Sequence, residues 1–296
     1  MRDGELISVV IPAYNRERTI LRAISGVLAQ SYPEIEVVVV DDASADGTAA
    51  RVEALNHPKV RLVRHASNRG AAAARNTGVR EAKGRLVAFQ DSDDDWLVEK
   101  LARQAAHLAS LAPEYVATFC TKIDYGCDQD RRYGPRLASV MPDPRETIAS
   151  GDLHARLMRG NVIGPQTVLV RKAAFAAAGG FDERLRNNED WDFFIRLAEE
   201  GPIGFLDDPL VVVLISEDGI SRRGRASAAS FVRVYGKIRR KPEADAGLLA
   251  YLASQTSTKL WHVGRPRAAR AYLRRALRLR PFAPKLYAKY LRTYVR

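Results

Sequence analysis

Sulfur is scarce in this chain of 296 residues, which has three methionines and two cysteines, Cys120 and Cys127. The cysteine pair fits neither a CxxC metal knuckle nor a disulfide framework, so reduced, structurally minor thiols are expected. Long apolar runs are lacking as well. The longest, "IEVVVV" and "LVVVLI", fall far short of the roughly 20 residues that a membrane-spanning helix needs. The opening "MRDGELISVVIPAYN" puts an acidic pair ahead of an apolar stretch too short for a secretory h-region. A cytoplasmic location is the expectation. No tandem repeat covers the chain. Charged and apolar fractions of 28% and 46% are ordinary for a globular protein, which excludes dominant disorder.

Acid is what the C-terminal end lacks. From Arg265 onward there are 11 Lys/Arg and no Asp or Glu, and from Arg222 onward 20 Lys/Arg face only Glu243 and Asp245. The first 221 residues hold 27 basic and 33 acidic side chains, so the net charge of +12 comes from the C-terminal end. Such asymmetry implies a division of labour: chemistry in the acidic part, an anionic partner for the basic part.

Strand and helix signals alternate through the acidic part. "LISVVIPAY", "EIEVVVV", "VRLVRH" and "RLVAFQ" read as strands, each followed by a helical segment, and this alternation implies a parallel sheet built from βαβ units. Ligands of such sheets bind beyond the carboxyl ends of the strands. Both acidic clusters, Asp41–Asp42 and Asp91–Asp95, stand at such ends. Past residue 112 the pattern loosens. Residues 135–144 read as loop, and everything after about residue 222 reads as helix.

The stretch "AFQDSDDDW" packs Asp91, Asp93, Asp94 and Asp95 together, and so many carboxylates repel unless a positive charge sits among them. Asp91 and Asp93 are two apart. On an extended backbone they face one side and suit a hard cation such as Mg²⁺ or Mn²⁺ shared with substrate phosphates. Asp94 or Asp95 is expected to cap a helix entering at Trp96. Asp42, just past its strand, can accept from a nucleobase N–H or a ribose hydroxyl, while Ser44 and Asp46 suit an Asx-type turn. Tyr14 in "PAYN" can flank a flat base. In "NNEDWDFFIRL" Asp190 opens a helix, where it is either a cap or a general base.

Three blocks in order, "SVVIPAYNRERTILRAISGVLAQSYPEIEVVVVDDASADGT", "NRGAAAARNTGVREAKGRLVAFQDSDDDW" and "GGFDERLRNNEDWDFFIRL", resemble the inverting family 2 glycosyltransferases over about residues 6–222. The resemblance implies an α/β GT-A fold with a mostly parallel central sheet flanked by helices and a Rossmann-like nucleotide-binding half. Residues 1–222 would form the catalytic domain and 223–296 a basic helical extension. It further implies metal-dependent, inverting transfer of a sugar from a nucleotide-diphosphate donor, a UDP-sugar foremost, to a saccharide or lipid-linked acceptor in cell-surface glycan or glycolipid synthesis. Carried over by motif, Pro12, Tyr14, Asp42, Arg75, Asp91 and Ser92 bind the donor, Asp93 the divalent cation (Mn or Mg). Asp190 is the base, with Glu189 and Trp191 beside the acceptor. Many relatives carry a His in a later loop. Here "LISEDGISRR" has Ser216 at about that position, with Glu217 or Asp218 as substitutes.

The other readings are a non-catalytic nucleotide-sugar binder, a haloacid-dehalogenase-like phosphatase and a nucleotidyltransferase. The phosphatase needs a later GDxxxD, and the nucleotidyltransferase a Gly-rich loop after the first strand; neither is present. In the tail, Ala269, Tyr272, Leu273, Ala276 and Leu279 share one helical face and Arg267, Arg270, Arg274 and Arg278 another. That pattern suits either packing on the main domain or adhesion to an anionic membrane surface aided by Tyr287, Tyr290 and Tyr294. No nucleic acid is expected.

Overall fold

The computed structural model describes residues 4–126, 138–215 and 224–294. Its first half runs β1 (Ile7–Ala13), α1 (Ile20–Leu28), β2 (Ile35–Asp41), α2 (Thr48–Leu55), β3 (Val60–Arg64), α3 (Ala71–Glu81) and β4 (Leu86–Phe89). Strands β3-β2-β1-β4 are parallel neighbours. Their runs of Val and Ile follow from burial on both faces. Along β1, Ile7, Val9 and Ile11 pack into the core on one side of the sheet, while Val10 joins the opposite side with Phe89. The alanines of α3 let that helix lie close on the sheet. A Cβ at Gly78 would come within 2.2 Å of Val10 Cγ1, so only glycine fits there.

Beyond β4 the sheet becomes mixed. β5 (Asp95–Trp96), α4 (Lys100–Ser110), β6 (Ala117–Gly126), β7 (Ala138–Met141), α5 (His154–Arg159), β8 (Val168–Arg171), α6 (Lys172–Ala177), α7 (Glu189–Glu200) and β9 (Ile203–Ile215) follow. The described strands form one sheet in the order β3-β2-β1-β4-β8-β6-β9-β5, with β7 paired to β6. The pairs β4·β8, β6·β8 and β5·β9 are antiparallel, and β6·β9 is parallel with register shifts around Thr121. Pro209, opposite Thr121, has no N–H to give the ladder.

Two expectations are corrected here. Asp94 and Asp95 cap no helix at Trp96: Asp95 and Trp96 pair with Val212 and Val211 as a short strand, and the helix waits until Lys100. Pairing with β9 outweighs local helix chemistry because it buries the Trp96 ring. Within the stretch expected as loop, Ala138–Met141 is a strand, supplied with partners by the long β6. Cys120 is a buried free thiol whose burial pushes its pKa up to about 11; Cys127 lies outside the described residues.

The C-terminal part is helical, with α8 (Gly224–Ile238), α9 (Ala246–His262), α10 (Pro266–Leu279) and α11 (Pro284–Arg292). Val234, Leu252 and Ala276 join the same buried cluster as Phe89 and Phe193. The apolar face of α10 is thus turned inward, with Ala269, Leu273 and Ala276 buried and Tyr272 edge-on to Tyr235 at 5.5 Å. By contrast, α11 has no buried residue of its own, and Phe282 before it is 96% exposed.

Candidate active site

The acidic clusters gather at the C-terminal edge of the parallel strands. β2 ends at Asp41, and the next residue, Asp42, donates its amide to Ala13 O at the end of β1 (2.8 Å). The Asp42 carboxylate is buried and engaged. Oδ1 accepts from the amide of Arg69 (2.9 Å) and from His65 Nδ1 (2.7 Å), and Oδ2 accepts from the amide of Gly70 (2.7 Å). Beside it, Asp41 Oδ1 is buried without a partner. Asp46 accepts from the Thr48 amide (3.0 Å), the expected Asx turn, and Ser44 Oγ accepts from the Asn15 amide (2.9 Å). Tyr14, 41% exposed, is free to flank a ring, and Pro12 beside it is half-buried.

The segment Asp91-Ser92-Asp93 is not extended. It forms a turn in which the Asp94 amide donates to Asp91 O (3.2 Å), because the chain must swing from β4 to β5. The two carboxylates consequently meet different cations: Asp91 pairs with Arg75 at 2.8 Å and Asp93 with Arg16 at 3.5 Å. Asp95 pairs with Arg22 at 3.2 Å. Asp94 is buried, accepts from the Leu214 amide (3.3 Å) and lies in the field of Lys122. Burial, then repulsion from Asp91, raises the pKa of both Asp93 and Asp94, Asp94 the more strongly. Ser92 is buried in the turn.

Arg75 joins the motifs. One guanidinium nitrogen holds Asp91 and the other holds Glu189 at 2.9 Å. Its Cζ lies 5.6 Å from the Phe181 ring centre, and its Nε is buried without a partner. The close seating of α3 delivers Arg75 to this position, and Asn76 locks the loop before α7 by donating to Phe181 O (2.8 Å) and accepting from its amide (2.9 Å). Next to Glu189, Asp190 accepts from Asn161 Nδ2 (2.9 Å) and from the Trp191 amide (2.8 Å). Burial of the carboxyl, then repulsion from Glu189, lifts Asp190 to about 7, against the pull of Arg75 and Lys122. A base titrating near neutrality is suited to proton abstraction, and Asp190 keeps part of its surface open.

Trp191 needs correction. It is a core residue, 3% exposed, whose Nε1 donates to Leu157 O (2.6 Å) and whose ring packs 5.0 Å from Phe231. Its position on α7 faces α5 rather than the opening. Ser216, Glu217 and Asp218 lie outside the described residues. Sequence reasoning missed Arg16, Lys122, Asn161 and His65. Arg16, one residue past "PAYN", was the most findable, as a cation beside a strand end. Lys122, Asn161 and His65 reach the site only through tertiary packing.

Comparison with known proteins identifies the family. Residues 8–163, over half the chain, match the family described as Glycosyl transferase family 2, and residues 155–218 match Glycosyltransferase like family 2. The chain belongs to glycosyl transferase family 2. The putative glycosyltransferase EpsE of Bacillus subtilis (strain 168) is 30% identical to it over 248 residues, 81% of this chain and 84% of that protein. The UDP-Glc:alpha-D-GlcNAc-diphosphoundecaprenol beta-1,3-glucosyltransferase WfgD of Escherichia coli is 43% identical over 102 residues, 34% of this chain and 40% of that protein. Among solved structures, residues 1–349 of S. aureus TarS in complex with UDP-GlcNAc match with a TM-score of 0.71 at 20% identity, covering 98% of this chain and 89% of that one. The fold of this glycosyltransferase is therefore GT-A, and family membership sets aside the phosphatase, nucleotidyltransferase and non-catalytic readings.

Proposed function

We propose that this family 2 glycosyltransferase moves a sugar from a nucleoside diphosphate donor, a UDP-sugar foremost, to an acceptor hydroxyl with inversion at the anomeric carbon. The observation that carries the proposal is the Arg75 bridge, which ties the Asp91 turn to the Glu189–Asp190 pair. The bridge would keep the proposed donor and acceptor stations beside each other, as a single in-line displacement requires.

In this reading residues 1–222 are the catalytic unit. Pro12, Tyr14 and Asp42 hold the base, Asp91 and Ser92 meet the nucleoside sugar, and Arg75 fixes Asp91 while its unpaired Nε adds a donor to the site. Asp190 takes the acceptor proton as its oxygen attacks, and Glu189 keeps the base at a useful pKa by repulsion. Asn161 aims Asp190 by holding one carboxylate oxygen.

The residues fit a divalent cation with few protein ligands. Asp93 keeps 29% of its side chain open and is crowded by Asp91, which suits a hard cation sharing its shell with phosphate and water. No cluster of three metal-binding side chains occurs among the described residues, so Asp93 would be its main protein ligand. When bound, the ion would offset charge on the departing diphosphate.

The names of the relatives favour a lipid-diphosphate-linked saccharide as acceptor and a role in cell-surface polysaccharide assembly. Among the described residues no helix is long and apolar enough to cross a membrane. The acid-free helices, with Phe282, Tyr287 and Tyr294 exposed, support peripheral attachment to an anionic membrane on its cytoplasmic face. The test is transfer from a panel of UDP-, GDP- and dTDP-sugars with Mn²⁺, with the product anomer read by NMR. A retained anomeric configuration, or turnover of none of the donors, would end the proposal.

A further inference from the structure

Asp42 is held by a chain of hydrogen bonds that reaches back through His65 and Thr77 to Arg80. An ionised carboxylate only accepts, so His65 Nδ1 carries the proton on their 2.7 Å contact. In the neutral ring Nε2 is then an acceptor, and the Thr77 hydroxyl, 2.9 Å away, donates to it. The oxygen of Thr77 in turn accepts from Arg80 at 2.7 Å. The chain runs from Arg80 through Thr77 and His65 to Asp42. Both His65 and Thr77 are buried, and both sit on elements that seat against β2: His65 just past β3, with its amide on Asp41 O (2.9 Å), and Thr77 on α3.

A carboxylate offers about four lone-pair sites. His65 and the Arg69 amide occupy those of Oδ1, and the Gly70 amide takes one of Oδ2. One site remains, on Oδ2, which suits a ligand presenting a single N–H. We infer that His65 is a positioning residue for donor recognition: through Thr77 it is locked as the Nδ1–H tautomer and leaves Asp42 one open acceptor site, selecting a base with a ring N–H, as in uracil, over one without, as in cytosine. The inference rests on the proposed base-binding role of Asp42.

Replacement tests the tautomer directly. Asn carries its amide nitrogen near the place of Nδ1, and Gln near that of Nε2, so His65→Asn should keep the bond to Asp42 and His65→Gln should lose it. In calorimetric titrations of the full chain with UDP and CDP, H65Q and H65A are expected to weaken UDP about tenfold, the loss of one hydrogen bond to a charged group. H65N should stay within about threefold of the wild type. The loss should fall on donor KM, with kcat at saturating donor moving less than about twofold, and the preference for UDP over CDP should shrink. Should H65A fail to fold, Thr77→Val, which removes the lock but keeps the ring, carries the test with an expected loss of about threefold. UDP affinity unchanged in H65Q and T77V, or H65N as weak as H65A, overturns the inference. Asp42→Ala separates the two levels: unchanged UDP affinity in D42A overturns the base-site reading itself, whereas loss in D42A with wild-type binding in H65Q overturns only the role of His65. A wild-type chain that binds neither UDP nor CDP overturns both.

Discussion

Asp190→Asn should destroy catalysis and stabilise the protein at once. The catalytic half rests on position and pKa. A general base contributes about 10²–10⁴-fold, so D190N should lose at least about a hundredfold in kcat while UDP-sugar binding stays near the wild-type value. With the carboxyl titrating at about 7, only about a tenth of the wild-type enzyme carries the base at pH 6 and about nine-tenths at pH 8, and kcat should climb accordingly. The stability half has the opposite sign. A carboxyl whose folded pKa lies above its unfolded value of 3.8 binds more protons folded than unfolded, so the ionised group costs stability as pH rises from about 4 to 7. The bound on that cost is about 4 kcal/mol. Relaxation around Glu189 removes part of it, so D190N should gain on the order of 1–2 kcal/mol at pH 8, a rise in Tm of about 2–6 °C, and little at pH 4. Glu189→Gln should move the limb of the kcat profile to lower pH, because it removes a repulsion that raises Asp190. Transfer assays across pH 5–9 and thermal melts across pH 4–9 check both halves. More than a tenth of wild-type kcat in D190N, or a flat wild-type profile between pH 6 and 8, refutes the reasoning.

Asp93→Ala should abolish the gain in donor affinity that Mn²⁺ gives, measured by calorimetry with and without the ion; equal affinity with Mn²⁺ in wild type and variant counts against Asp93 as the metal ligand. Arg75→Met should cost about 2–3 kcal/mol in urea unfolding, below the figure for a dry pair, because Asp91 and Glu189 keep some solvent; unchanged stability and kcat/KM would show the bridge to be dispensable. Arg75→Lys should fail to rescue, since an ammonium lacks the fork that holds two carboxylates. Vesicles containing anionic lipid should pellet the full chain at low salt, and Phe282→Ser combined with Arg280→Ser should weaken this several-fold; no pelleting of wild type would end the membrane reading.

The parallel half was legible because its signals are local. Buried strands of Val and Ile, closed by Asp-Ser-Gly turns and followed by amphipathic helices, announce themselves with period and punctuation. The mixed half was less so. Nothing local marks Asp95–Trp96 as a strand, because its partners Val211 and Val212 are more than a hundred residues away. Trp191 misled for a related reason: adjacency to Asp190 places it on the same helix, but one step of a helix turns a side chain about 100°, away from the side Asp190 presents and into the core. His65 gave no signal as an isolated histidine. Its meaning lies in Asp42 and Thr77, which only the packing of α3 on β2 brings to it.

The crowded aspartates make the same point in charge. Read in sequence, four carboxylates within five residues call for one strong cation. The fold first answers with four cations from four elements: Arg75 of α3 at Asp91, Arg16 of the β1–α1 loop at Asp93, Arg22 of α1 at Asp95, and the field of Lys122 on β6 at Asp94. The compensation is uneven. Asp91 has a buried partner at 2.8 Å, Asp93 a looser one at 3.5 Å, and burial and repulsion still raise Asp93. Under the proposed metal reading, a divalent ion would gain most at Asp93, where Arg16 at 3.5 Å is the weaker competitor. Sequence order alone makes Asp91 and Asp93 equivalent; the unequal distances to Arg75 and Arg16 distinguish them, and leave Asp93 the less compensated of the two.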